Sequence, residues 1–447
     1  MEREKASSVP STPSGKEQAA AGGAGASSIA EPDYRRRNFW LGVTNGVIFN
    51  ASSAFLNANT ILPLFVSRLT DSRFLVGTAS ALHEVGWFIP QLFVAAATAH
   101  RPQQKPLYIR AAFFRLAVFS ALLASFFLAS YQKPEQVLFF FFLFYGLYSI
   151  GGGFAGVAFM EIVSKTVPPE RRGSFWGLRM SVGGLLAAGF GRLVAEILDS
   201  NPFPRNYEIL FLFAFFFIFA GLFSFTWVRE PELPNRLPQV PYRQRLGEAF
   251  SLLKTDPHFL RLYSTRLLIG TYTVAAPFYV LYAHQELRYP VATAGLFVSA
   301  EVLGLAVSNL WWSAFSNRGK DGLVLVGAAA MALFAPIWAL LSGWMGFGPL
   351  VYAFIFFALG ATNSGLAVGY LNHLLKIAPE SSRTLYIGLL HTLLFPILFF
   401  PGLGGLILSA RGGSYFTLFF TALVLALAGG ALAWRIFQSE RKAAVSA

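Results

Sequence analysis

The sequence predicts an all-α membrane protein: twelve transmembrane helices forming two pseudo-symmetric six-helix bundles. Composition is the first observation. Of 447 residues, 55% are hydrophobic, 16% aromatic and only 13% charged, against about 25% charged in an ordinary soluble domain. The 47 Phe residues are too many for one soluble core, and mean hydropathy is +0.53, so much of the apolar surface must face lipid. Second, apolar stretches of the roughly 20 residues needed to cross a bilayer recur twelve times. Third, Lys and Arg alternate between the two sides of those stretches.

Residues 1–34 are rich in Ser, Ala, Gly and Pro and cannot bury enough apolar surface to offset the entropy of ordering, which predicts a disordered tail. The tail has a charged start but no apolar segment of about 7 to 15 residues, so no cleaved signal peptide is expected. The six spans of the first bundle (35–228) are predicted at 38–66, 74–98, 107–130, 137–160, 174–198 and 207–228. A Pro-rich, charged linker covers 229–257, and its second half suits a short amphipathic helix on the membrane surface. The second bundle (258–437) follows with 258–283, 291–315, 322–343, 349–375, 384–408 and 415–437, leaving 438–447 as a tail.

The cations set the orientation. The N-terminal tail, even-numbered loops, linker and C-terminal tail, with the span ends beside them (Arg110, Arg261, Arg435), hold 25 of the 35 Lys and Arg residues, the odd-numbered loops 6, and four (Arg115, Arg179, Arg192, Arg266) lie deeper within spans. Both termini are therefore expected in the cytoplasm, with the chain multi-pass in the cell (inner) membrane. The net charge of +13 is a topology signal, and no nucleic-acid partner is expected.

The two halves carry traces of a repeat. Glu84-Val85 precedes His100-Arg101 by sixteen residues in the first half, as Glu301-Val302 precedes Asn317-Arg318 in the second, at an offset of 217. Pro168, Arg172 and Gly177 recur as Pro379, Arg383 and Gly388 at an offset of 211. A parallel repeat of six-span halves places a site near the midplane between them.

On these residues the chain resembles the major facilitator superfamily of secondary transporters, of the bacterial type, over about 35–437. The loop after span four, Val167-Pro168-Pro169-Glu170-Arg171-Arg172-Gly173 followed by Gly177-Leu178-Arg179, carries the resemblance best. The loops after spans two and eight are degenerate: of the family's Gly-x-x-x-Asp-Arg-x-Gly-Arg-Lys only Arg101 and Lys105 remain in the first, and the Asp is missing from both. Val182-Gly183-Gly184 lacks the Pro of the antiporter signature in span five.

An ionisable side chain at membrane depth costs at least a few kcal/mol and usually faces a cavity or a partner. At 1.5 Å per residue Glu84 and Glu301 lie roughly 15 Å into spans two and eight, so they are the candidates for proton coupling or cation binding. His83, Asn50, Asn57 and Asn363 join them. Asn50, Ala54 and Asn57 fall at i, i+4 and i+7, one stripe of a helix, which either lines a cavity or bonds a neighbouring helix. For His83 packing is the favoured role, and Tyr145, Tyr148 and Tyr272 read as packing before pore lining. Arg101, Glu161, Arg172, Arg179, Arg318 and Arg383 are candidates for a cytoplasmic gate; Glu161 could pair with Arg179 or Arg115. Arg115, Arg179 and Arg266 read as snorkelling side chains, and Arg192 with Glu196 as an i, i+4 pair. The glycines at 151–153, 156, 402, 404 and 405 read as close-packing positions, and His391 as a lesser cavity candidate.

The absence of Cys removes disulfides and thiolate chemistry. No phosphate-cradling Gly-x-x-x-x-Gly-Lys-Ser/Thr is present, His residues are scattered, and no nucleophile pairs with a base. No enzyme activity, cofactor or metal is expected. The expected function is secondary active transport of a small molecule by alternating access, with proton coupling through Glu84 and Glu301. An amphipathic, apolar or cationic solute suits the aromatic spans, and membrane lipids are the other partner. The alternative is a non-transporting protein on the same scaffold: a lipid scramblase, a sensor or an assembly factor.

Overall fold

The computed structural model describes residues 34–88, 94, 101–128, 131, 133–232, 251, 254–378, 386, 389–390, 393–410 and 414–446. The predicted tail before Tyr34, most of the linker, and Pro379, Arg383, Gly388 and His391 lie outside the described residues. Those described form helices joined by short turns, with no strand among them. Nine helices among the described residues are long and apolar enough to cross a membrane, matching predicted spans three to ten and twelve. Spans one, two and eleven are broken into shorter pieces.

Each break has a local cause. Span one is Tyr34–Ser52 and Ile61–Ser67, separated by turns over 53–60. There Ser52 and Ser53 turn their hydroxyls onto the carbonyls of Phe49 and Asn50, competing with the helix ladder. Pro63 sits in the first turn of the second piece, where its missing N–H costs nothing. Span seven repeats the device: Pro257–Gly270, a 3-10 turn Thr271–Val274, then Ala276–Gln285. Thr271 and Thr273 bond back to Leu268 and Gly270, and Pro277 opens the second piece. Span two breaks at His83–Glu84 between Arg73–Leu82 and Val85–Phe88. Ser149 of span four enters that gap, donating to the His83 carbonyl and accepting from the Gly86 amide, both at 3.0 Å. In span eleven, 395–399 is a 3-10 turn with Pro396 at its start.

Span twelve runs as one helix from Tyr415 to Ser446, through residues expected as a tail. The start of span one lies beside the end of span six, where Asn38 bonds Arg229. The start of span nine lies beside the end of span twelve, where the Gly322 amide donates to Glu440. Through the antiparallel pairing of spans five and eight, these two corners share one face of the bundle. It is called the termini face below.

Among the described residues the halves meet from mid-depth to the opposite face, along two seams built on glycine. In one, spans two and eleven approach until a Cβ on Gly77 would collide with the Pro401 carbonyl, and one on Gly405 with the Arg73 carbonyl. In the other, spans five and eight cross at Gly191 and Gly295, where either Cβ would strike the partner's backbone, and Ser299 donates to the Ala188 carbonyl at 2.7 Å. Near the opposite face Arg73 also donates to Gln285 of span seven at 2.7 Å. Gly402 and Gly405, expected at close approaches, are therefore inter-half contacts, and Gly404 abuts Val274 of its own half.

On the termini face each half is fastened by a carboxylate from the end of its sixth span. Glu230 accepts from the amides of Gln104 (2.8 Å) and Lys105 (2.6 Å) and from the Lys165 ammonium (2.9 Å). Glu440 accepts from the Gly322 amide (2.9 Å) and faces His373 (3.0 Å), while Lys376 pairs with buried Asp321. Glu230 and Glu440 thus supply a carboxylate beside loops that lack the family's Asp. Span seven starts on Asp256, whose carboxylate accepts from the amides of His258 and Phe259 and from the Tyr386 hydroxyl. Burial pushes that carboxyl up, and these bonds outweigh it to leave the pKa below the usual value.

Replacing Glu230 by Ala leaves two amides without their acceptor and leaves Lys165, whose side chain is 8% exposed, with only the Pro102 carbonyl and the more distant, exposed Glu161. Breaking such a buried pair costs about 3–5 kcal/mol. The expected result is a large drop in the midpoint of thermal unfolding in detergent; a midpoint like that of the wild type would show that solvent replaces the carboxylate.

Candidate functional site

The two acidic candidates lie at mid-depth and end in different surroundings. Glu301 is held across the halves. Its two oxygens accept from the side-chain amides of Asn57 (3.0 Å) and Asn59 (2.6 Å), both in the break of span one. That break is itself ordered: Asn57 Oδ1 accepts from the Asn59 amide and the Thr60 hydroxyl, each at 2.9 Å, and Ser80 of span two reaches Asn59 at 3.5 Å. Losing the helix ladder over 53–60 frees the asparagines to point at another half of the molecule.

Glu84, at the break of span two, is exposed and has no side-chain partner among the described residues. Tyr272, in the break of span seven, lies within electrostatic reach of both Glu84 and Glu301. Tyr272 follows Asn57 by 215 residues, close to the repeat offset of 217. The broken first span of the first half therefore clamps the carboxylate on the second span of the other half, and Tyr272, in the matching break of the second half, lies near both acids.

Around this pair the first half is fixed by buried cations. Arg115 is 7% exposed and lies 4.3 Å over the ring of Tyr148 and 5.3 Å over Phe49. Arg179, 8% exposed, donates to the Gly42 carbonyl and to Asn45 Oδ1 and lies over Phe159, Phe175 and Trp176. Neither snorkels, contrary to expectation, because aromatic faces and backbone carbonyls solvate the guanidinium inside the bundle. Arg266 is half-buried over Tyr370 at 5.7 Å.

The other candidates divide clearly. Asn50 donates to the Arg179 carbonyl at 3.0 Å, tying span one to span five. The stripe joining it to Asn57 does not exist, because the helix stops at Ser52. His83 shares a 2.9 Å bond with the Tyr145 hydroxyl; Tyr145 and Tyr148 are buried packing residues. Asn363 is exposed on span ten. Glu161 pairs with Lys165 at 3.5 Å and not with Arg179 or Arg115, which aromatic rings enclose. Arg172 donates to the carbonyls of Val167 and Ser164 and so closes the end of span four. Arg101 and Arg318 are exposed at helix ends; none of these described gate candidates contacts the other half in this conformation. Arg192 and Glu196 form no ion pair; both are exposed, where such a pair contributes little.

Asp321, His373 and Glu440 bring donor atoms within 4.8 Å of one another. Lys376 and Ser316 already occupy Asp321, so the cluster is a charge network of the second half. Sequence reading missed Glu230, Glu440 and Tyr272 as site or fastening residues. For Tyr272 the available signal was its place within two residues of the repeat offset from Asn57.

Comparisons agree with this architecture. Residues 174–395 match the family model described as Major Facilitator Superfamily. Uncharacterized proteins of Mycobacterium tuberculosis and Mycobacterium bovis are 23% identical over 237 residues, 52% of this chain. The chain spans 45% of the length of those relatives. Among solved structures, a peptide transporter POT aligns at TM-score 0.65 and 14% identity, covering 90% of this chain and 95% of that one. The xylose transporter XylE from E. coli aligns at 0.65 and 12%, covering 90% and 97%. A bacterial homolog to the human lysosomal transporter Spinster aligns at 0.60 and 13%, covering 92% and 98%. Residues 174–395 thus carry the family match, and the multi-pass helical fold with repeated halves, meeting at glycine seams around two mid-depth carboxylates, is of the major facilitator type.

Proposed function

We propose that the protein is a secondary active transporter that moves a small molecule by alternating access, coupled to protons or a cation through Glu84 and Glu301. The observation that carries this reading is the contact at mid-depth, where Glu301 of the second half is held by Asn57 and Asn59 from the broken first span of the first, with exposed Glu84 at the break of span two. Any change in the charge of Glu301 then acts on the contact between the halves. Among the described residues the halves meet at one face and lie apart at the other, and the cation count along the loops supports a cytoplasmic position for the latter. Conformational change by rocking the halves exchanges which face is closed.

Glu84 is the accessible carboxylate and takes the exchangeable proton or cation; Glu301 senses the closure through Asn57 and Asn59. The cations nearest the site are enclosed by rings, so the charge facing the site is negative. This favours a cationic or amphipathic solute over a highly anionic one. The substrates of the structural neighbours, peptides and xylose among them, do not narrow it further.

Proteoliposomes test the reading. With an identified substrate, Glu84→Gln combined with Glu301→Gln is expected to abolish the response of uptake to a pH gradient while binding persists. A gradient response equal to that of the wild type would sink the coupling hypothesis. Movement of labelled lipid with no dependence on solute or gradient would favour the scramblase instead.

A further inference from the structure

Two crevices open on the outer wall of the bundle at the termini face, one in each half. The first encloses about 460 Å³ between spans one, three and six. Arg37, Lys105 and Arg229 line its upper part, and Phe113 and Phe223 its lower part. The second encloses about 290 Å³ between spans seven and twelve, with Arg261, Arg435 and Lys442 above Leu432. Each has three cations and no carboxylate in its lining. Glu230, the acid nearest the first, is buried and turned to the amides of Gln104 and Lys105. Spans one and six correspond to seven and twelve, so the crevices occupy equivalent corners of the repeat.

We propose that each crevice binds the headgroup of an anionic phospholipid. Position decides the occupant. Phe113 is 63% exposed and Trp227, at the rim, 56%, so the wall belongs to the lipid-facing surface and not to the space between the halves. Phe113 follows Lys105 by eight helical residues, about 12 Å. A headgroup phosphate held by the cations therefore lays its acyl chains along the rings below. An interfacial aromatic residue beside Lys and Arg suits that boundary, and basic pockets between helices on the cytoplasmic side recognise acidic headgroups. A free phosphate has no use for the apolar floor. A phospholipid in this corner bridges spans one and six of the first half and spans seven and twelve of the second, where span one begins its path to Asn57.

The test is native mass spectrometry of the full-length protein in detergent, titrated with phosphatidylglycerol and, separately, phosphatidylcholine. Wild type is expected to retain two phosphatidylglycerol molecules and to release them as salt rises, with phosphatidylcholine held far more weakly. Arg37→Gln/Lys105→Gln/Arg229→Gln is expected to retain one, its affinity at the first crevice falling on the order of a hundredfold. Adding Arg261→Gln and Arg435→Gln removes the second, whereas Lys133→Gln/Arg205→Gln on the opposite face changes nothing. Phosphatidylglycerol retention that survives the first triple substitution, or equal retention of phosphatidylcholine, overturns the proposal. Displacement by inorganic phosphate at matched concentration overturns it in favour of a small-anion site. The salt and phosphatidylcholine titrations use wild-type protein, so headgroup selectivity is measured whether or not the variants fold.

Discussion

Gly77→Leu and Gly191→Leu are each expected to hold the transporter open on the face that is closed here. At Gly77 the obstacle is the backbone carbonyl of Pro401, and at Gly191 the backbone of Gly295; neither can rotate away as a side chain would. Overpacking inside a single core costs about 1–3 kcal/mol, relieved by local shifts. Here a cheaper escape exists, because the two halves are separate bodies at these seams and simply stay apart. The helices of each half stay packed on one another, so the unfolding midpoint should change less than transport, which falls by more than tenfold. The chain has no Cys, so labels placed at Arg68→Cys and Leu287→Cys report the gap between the halves on that face without background. A longer distance in both glycine variants is the expected outcome; an unchanged distance with normal transport would mean the seams slide past the new side chains.

Glu301→Ala is expected to shift the same equilibrium without a clash. It removes two bonds from Asn57 and Asn59 to a carboxylate, each of a kind that contributes about 1.5–3 kcal/mol. Those bonds exist only while span one and span eight are together, so their loss destabilises one conformation and not the other. A differential of roughly 3 kcal/mol moves a two-state population on the order of a hundredfold. The same pair of labels should show the longer distance gaining population, with Glu301→Gln intermediate because its amide keeps one acceptor. If Glu301→Ala leaves the distribution as in the wild type, the asparagine clamp is a passenger of closure.

These effects explain which parts of the molecule were legible in its sequence. Apolar length and cation placement are local or additive signals, so spans three to ten and twelve were readable from composition alone. The site was half readable. Glu84 and Glu301 stood out because a carboxylate in a Phe-rich helix is costly wherever it points. Asn57 was legible as a polar residue at depth, but its contact with Glu301, and that of Asn59, was not, because both depend on where helices stop. Asn50 and Asn57 looked like one stripe under a helical period, and the hydroxyls of Ser52 and Ser53 ended the helix between them. Arg115 and Arg179 were read as reaching for water, since sequence gives depth but not the rings of Tyr148, Phe159 and Trp176 around them. Glu161, for which the sequence favours plain stabilisation over a gate contact, and Arg172, a gate candidate from its loop motif, each bond a few residues away in their own chain segment.

The clamp on Glu301 also fixes an order of assembly. Asn57 and the carboxylate it holds are 244 residues apart, and a ribosome adding about 5–20 residues per second needs roughly 12–50 seconds to make that interval. Throughout it the first half waits in the bilayer with its asparagines unmatched, and no acid of the second half has yet entered. The mid-depth contact between the halves is therefore among the last parts of the molecule to exist. An unfinished chain stalled before span eight holds Asn57 and Glu84 but not Glu301, and so has nothing at mid-depth with which to join its halves.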